Sequence, residues 1–138
     1  MQSQYRITLV SSCLVGLCTR YDCQLKASQE CISSLHGKPW APVCPEQLGG
    51  LTTPREAADI HGGDGFDVLE GKACVLTKSG VNVTTLFIHG AEQVLLIAKA
   101  QPVDTIYLKS RSPSCGVDPT AGVTAALLLR HGYRLLQF

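Results

Sequence analysis

Residues 104–116 read DTIYLKSRSPSCG, a β-branched and aromatic run that gives way to a serine- and proline-rich turn and then to a cysteine. Residues 104–109 of this run are a strand signal, and the Ser/Pro/Gly stretch behind it marks the strand's exit. Two other segments repeat the arrangement. Residues 6–16, RITLVSSCLVG, give a strand over 6–11, then Cys13 and the Gly16 loop, and residues 40–46, WAPVCPE, give a short strand over 40–43 with Cys44 directly after it. Three predicted strands thus each deliver a thiol at the carboxyl end.

The intervening sequence alternates with these strands. Ser28 is placed to cap a short helix with Cys31, Ile32 and Leu35 on one face, stopped by Gly37. Thr84 or Thr85 is placed to cap a longer helix whose Phe87, Ala91, Val94, Leu95 and Ala98 recur at helical spacing. The stretch GVTAALLLRHG predicts a helix ending at Gly132, and 133–137 a last strand. Residues 49–71, with GlyGly at 49–50, Pro54 and GGDG at 62–65, read as loop; 73–76 and 82–84 are expected to pair across Lys78-Ser79-Gly80. Strands alternating with helices predict an α/β fold with a mostly parallel sheet and helices on its faces. In such sheets ligands bind where the loops after the strands converge, which would bring Cys13, Cys44 and Cys115 together.

Composition narrows the function. With 138 residues, 45% of them hydrophobic, the chain is expected to form a single domain over 1–138. A net charge of +1 offers no broad attraction for a polyanion, so long nucleic acid is not an expected partner. No apolar run approaches a membrane span and the first residues lack a cationic leader pattern, so a cytoplasmic protein is expected. Seven cysteines, an odd number, argue in a reducing compartment for metal or thiol chemistry over a disulfide framework.

Three thiolates from separate strand ends suit a 4Fe-4S cubane in which one iron keeps an exchangeable position able to act as a Lewis acid toward soft sulfur. They suit equally a zinc with three cysteine ligands and an open position. No CxxC signature selects between them, and any one of these cysteines alone reads as a small buried residue at a strand end. Cys18 and Cys23, spaced Cys13-x4-Cys18-x4-Cys23, are a further local ligand group to weigh. Cys31, on an apolar helix face, and Cys74, in an apolar strand, read as packing residues. Arg20, Lys109 and Arg111 fall near strand exits, where they could bind a substrate carbonyl or phosphate or be solvated surface charge. The four histidines have no paired spacing and are assigned no catalysis.

The motifs SSCLVG at 11–16, RYD at 20–22, PVCPEQLGGL at 42–51, TPR at 53–55, GGDG at 62–65, RSPSCG at 111–116 and GVTAALL at 122–128 run in order across nearly the whole chain. In these the sequence resembles the thiouracil desulfidase family. The resemblance implies a single Rossmann-like domain, a 4Fe-4S cluster on Cys13, Cys44 and Cys115, and conversion of 2-thiouracil or a related thiolated uracil to the oxygenated pyrimidine and hydrogen sulfide without net redox change. It implies Glu46 of CPEQ as acid/base and Ser112 of SPSCG as a second polar catalytic residue. Two departures from the pattern stand out. Only residues 117–121 separate SPSCG from the GVTAALL helix, where the family usually carries a longer insertion, and Cys23 follows RYD where glycine is common. Two other readings compete with the desulfidase: a non-catalytic iron-sulfur carrier or sensor, and a zinc-stabilised nucleotide-binding module.

Overall fold

The computed structural model describes residues 5–138; the four before them, part of the stretch scanned for a leader, lie outside the described residues. Strand β1 (Ile7–Ser11) is central. It pairs in parallel with β2 (Trp40–Val43) on one side and β5 (Val103–Leu108) on the other, and β5 pairs in parallel with β6 (Leu135–Gln137), giving the order β2-β1-β5-β6. The four-stranded parallel sheet meets the α/β expectation. Among the described residues no helix is long and apolar enough to cross a membrane.

Side chains alternate along a strand, so a continuous apolar run feeds both faces of the sheet. Leu9, Ile106 and Leu108 enter one core with Val94 and Ala98 of α4 (Thr84–Lys99) and Ala125 and Leu128 of α5 (Val123–Arg130). Val10 and Tyr107, one residue out of phase, enter the opposite core with Leu14 and with Cys31 and Leu35 of α1 (Gln29–Leu35). Helices therefore cover both faces. Ser28 caps α1 as expected, its side chain accepting from the Cys31 amide at 3.1 Å. Cys31 is buried packing, while Ile32 turns to the surface at 37% exposure.

Three expectations are corrected. Residues 49–71 are not all loop: β3 (Ala58–His61) pairs antiparallel with β4 (Cys74–Thr77), and α3 (Gly65–Leu69) follows β3. Asp64 of the GGDG run caps α3, exchanging hydrogen bonds with Asp67 in a reciprocal capping box, and Gly65 lies against the Gly122 carbonyl where a Cβ would come within 2.1 Å of it. The GGDG run is thus a helix start and a packing contact. The predicted pairing of 73–76 with 82–84 reduces to a single bridge, Leu76 with Asn82. Nor does a threonine cap α4: the Asn82 side chain accepts from the Thr84 amide at 3.0 Å, and the Thr84 hydroxyl accepts from the Val75 amide at 2.8 Å.

Candidate functional site

Because β2, β1 and β5 are adjacent and parallel, the segments that follow them emerge at one edge of the sheet. Cys13 lies in a short 3-10 helix (Ser12–Val15) that Gly16 closes with a φ of 93°, a conformation glycine adopts without strain. Cys44 is the N-cap of α2 (Pro45–Leu48), with Pro45 in the first turn, where its missing N–H costs no hydrogen bond. Cys115 follows β5 in a turn tied by the Ser112 hydroxyl, which accepts from the amides of Ser114 at 3.2 Å and Cys115 at 3.0 Å.

All three cysteines line one cavity of about 350 Å³, together with Glu46 and Ser112 and with Arg20, Lys109 and Arg111. Its size is that of a small-ligand pocket. Burial raises the Cys13 thiol above its ordinary pKa, and the neighbouring Cys44 raises it further against the opposing pull of Lys109 and Arg20. Burial pushes the Cys115 thiol up to about 12, opposed by its hydrogen-bond contacts with Ser11 and Ser114. Thiols in this state keep their protons until a cationic group displaces them, so loading the site would release protons.

Among the described residues no three His, Cys, Asp or Glu side chains converge closely enough to hold one metal ion. A mononuclear zinc needs its sulfurs at about 2.3 Å around one point. Three thiols lining one cavity are the soft donors that an iron-sulfur cluster takes, one thiolate to an iron.

Glu46 is held from both sides. Arg55 Nε donates to Oε1 at 2.9 Å, and Ser114 Oγ donates to Oε2 at 2.9 Å. Ser114 has a single hydroxyl proton, committed here to Glu46, so the 3.0 Å contact between Ser112 and Ser114 is a donation from Ser112. A chain of hydroxyls therefore connects Ser112 through Ser114 to the carboxylate. Arg20 is engaged by Asp22 through two 3.0 Å bonds, which leaves Lys109 and Arg111 as the cations less committed to protein partners.

Arg55 and Ser114 carry no role in the sequence reading, although TPR and SPSCG contain them; their bonds to Glu46 span 9 and 68 residues. Cys18 and Cys23, weighed above as local ligands, instead form a disulfide with one another, and neither lines the cavity. This corrects the reading of the two as local ligands, and it sets one disulfide beside the expectation of metal or thiol chemistry over a disulfide framework. Cys23 has a φ of 59°, the left-handed region that favours glycine, which accounts for glycine at that place in the family pattern. Cys74 is partly buried and outside the cavity, and none of the four histidines lines it.

The match to the 2-thiouracil desulfurase family extends over residues 8–137. The chain belongs to that family. Within comparable range, the uncharacterized protein YbbK of Bacillus subtilis (strain 168) is 43% identical over 140 residues, 93% of each chain. The solved structure of TudS, described as a 4Fe-4S-dependent thiouracil desulfidase, is 35% identical and matches with a TM-score of 0.79 over 97% of this chain and 91% of its own. This desulfurase-family chain therefore has the Rossmann-like architecture that its motifs imply.

Proposed function

We propose that this protein is a 4Fe-4S-dependent desulfidase that hydrolyses 2-thiouracil or a related thiolated uracil to the oxygenated pyrimidine and hydrogen sulfide. One observation carries the reading: three thiols from three adjacent parallel strand ends line a single cavity with a doubly held carboxylate. Family membership and the likeness to TudS support it. In the balanced reaction water supplies the oxygen and two protons, the C=S bond is replaced by C=O, and sulfur leaves as hydrogen sulfide, with no electron gained or lost.

Cys13, Cys44 and Cys115 are the residues that would hold the cluster. Bound there, a cluster with three protein ligands supplies one open iron, a Lewis-acidic position for a thiocarbonyl sulfur. The chain's own residues do the rest. Glu46 faces the cavity with its orientation set by Arg55 and Ser114; it takes a proton from the attacking water and returns one to the departing sulfur or ring nitrogen. Ser112, fixed by two backbone amides, donates to Ser114 and so extends the hydrogen-bonded relay that ends on Glu46. Lys109 and Arg111 supply donors for the pyrimidine's remaining oxygen.

The test is anaerobic iron and acid-labile sulfide analysis, with hydrogen sulfide release from 2-thiouracil, on the wild type and on Cys13→Ala, Cys44→Ala, Cys115→Ala and Cys31→Ala. The first three variants are expected to lose cluster and activity together, while Cys31→Ala keeps both. A wild type that binds no iron overturns the proposal, and a wild type that holds the cluster yet releases no hydrogen sulfide, with Glu46→Ala indistinguishable from it, would favour a carrier or sensor.

A further inference from the structure

Arg55 is an unusual residue for a pocket wall, because its side chain is only 7% exposed and its charge must be matched inside the protein. All three guanidinium nitrogens are in use. Nε reaches Glu46 Oε1 at 2.9 Å; Nη1 reaches the Thr52 carbonyl at 3.0 Å and the Thr53 hydroxyl at 2.8 Å; Nη2 reaches the Thr19 carbonyl at 2.9 Å. Its backbone amide also donates to the Tyr21 carbonyl at 2.8 Å. One rigid planar group therefore joins three parts of the chain: the catalytic carboxylate, the turn at 52–53, and the wall at 19–21 that lines the cavity.

The wall it grips is itself part of the thiol environment, since the Cys44 Sγ approaches the same Thr19 carbonyl at 3.8 Å. Because Nε and Nη2 belong to one plane, the position of the Glu46 carboxylate and the position of that wall cannot vary independently. Ser114 then fixes the second carboxylate oxygen from the opposite element, so the plane of the carboxylate is set. Lysine could match the charge but not this geometry, having a single nitrogen in place of a planar fork.

We infer that Arg55 is the positioning residue of the site: it acts through Glu46, holding the carboxylate at a fixed angle and distance to the wall at 19–21. The inference rests on the desulfidase reading. It goes beyond a charge-neutralising ion pair, because it requires the three-way geometry and not merely a cation beside Glu46.

The experiment compares Arg55→Ala and Arg55→Lys with the wild type, each reconstituted anaerobically and assayed for iron, acid-labile sulfide, kcat and KM with 2-thiouracil. Misplacing a catalytic group by about 1 Å costs on the order of 100-fold in rate. Both variants are expected to hold the same iron as the wild type and to lose about 10- to 100-fold in kcat with KM little changed. Added guanidinium ion should restore part of the loss to Arg55→Ala, and in a Glu46→Ala background the Arg55→Ala substitution should cause no further fall. Hydrogen exchange on the cluster-free proteins supplies a readout independent of turnover: peptides covering 17–24 and 44–51 should both exchange faster in Arg55→Lys.

Wild-type kcat in Arg55→Lys, an undiminished Arg55→Ala loss on top of Glu46→Ala, or unchanged exchange in both peptides overturns the inference. If Arg55→Ala fails to fold, Arg55→Lys carries the same test through its exchange pattern and kcat. A loaded wild type that releases no hydrogen sulfide overturns the desulfidase reading, and the inference falls with it. A wild type that turns over beside equally active Arg55 variants overturns the inference alone.

Discussion

Replacing Gly90 with alanine should impair the site far more than it impairs the fold. Gly90 lies on the face of α4 that meets α2, and a Cβ built there would stand 1.9 Å from the Pro45 carbonyl oxygen and 3.2 Å from the Gly49 amide nitrogen. Across the same contact, a Cβ on Gly49 would stand 2.1 Å from the Leu86 carbonyl oxygen. The two helices thus meet backbone to backbone. Pro45 sits between Cys44 and Glu46, and its carbonyl closes the α2 turn by accepting from the Gly49 amide at 2.9 Å. To bring the new contact out to 3.0 Å, the Pro45 carbonyl must retreat by about 1.1 Å, carrying its two neighbours with it. Overpacking of this kind costs about 1–3 kcal/mol, and the better helix propensity of alanine returns about 1 kcal/mol. The net loss, about 0–2 kcal/mol, lowers Tm by no more than about 10 °C in a chain of this size. A displacement of about 1 Å at Glu46, by contrast, should lower kcat on the order of 100-fold. The assay pairs thermal unfolding with hydrogen sulfide release at a temperature well below both midpoints, using Leu96→Ala on the exposed side of the same helix as the control. Gly90→Ala with wild-type turnover would refute the argument that this close approach positions the site. So would a loss of turnover fully explained by unfolding.

Two further outcomes follow from the same coordinates. The double variant Cys18→Ser, Cys23→Gly, assayed with reductant, should keep the wild-type iron content and turnover, since neither residue lines the cavity and glycine takes a φ of 59° without strain; lost iron would return one of them to the ligand set. The Arg20 guanidinium holds the Asp22 carboxyl down at about 2 against an ordinary 3.8. A carboxylate depressed in the folded state stabilises above its unfolded pKa, and that contribution fades as pH falls from about 3.8 toward 2. Acid titration of the cluster-free wild type and Asp22→Asn should therefore show a stability difference at pH 6 that closes by about pH 2, and a difference that stays constant over that range would remove the Arg20–Asp22 pair as its source.

The parallel sheet is legible because each of its strands carries its own signal. β1 and β5 are buried on both faces over 8–11 and 105–108, so β-branched and apolar residues follow one another there without the polar alternation of a half-exposed strand. The β3–β4 hairpin is not legible for the complementary reason. ADIH at 58–61 is four residues long, lies beyond Pro54 and stops at GGDG, so turn signals outweigh it; what makes it a strand is β4, 13 residues further on. The cap of α3 shows the same limit. Asp64 and Asp67 have capping-box spacing, but the glycines around them read as loop until the packing of Gly65 on Gly122 fixes where the helix starts.

In the site, legibility follows the distance between cause and effect along the chain. A cysteine one to seven residues beyond a strand inherits its position from that strand, so the convergence of Cys13, Cys44 and Cys115 needs only the strand assignments and the rule that parallel strands end together. What aims Glu46 has no such local origin. Arg55 is brought to it by the chain's path through 49–54, Ser114 by the pairing of β1 with β5, and Gly90 by the packing of α4 on α2. Each acts through a contact whose partners are set by the whole fold. The thiols are thus placed by the ends of the parallel strands, and the carboxylate by its bonds to Arg55 and Ser114 and by the packing of Gly90 on the neighbouring Pro45. Substitutions at Arg55 and Ser114 should therefore change rate before they change iron content, whereas Gly90→Ala, which also moves Cys44, should affect both, and this order of loss separates damage to the acid/base machinery from damage to the cluster site.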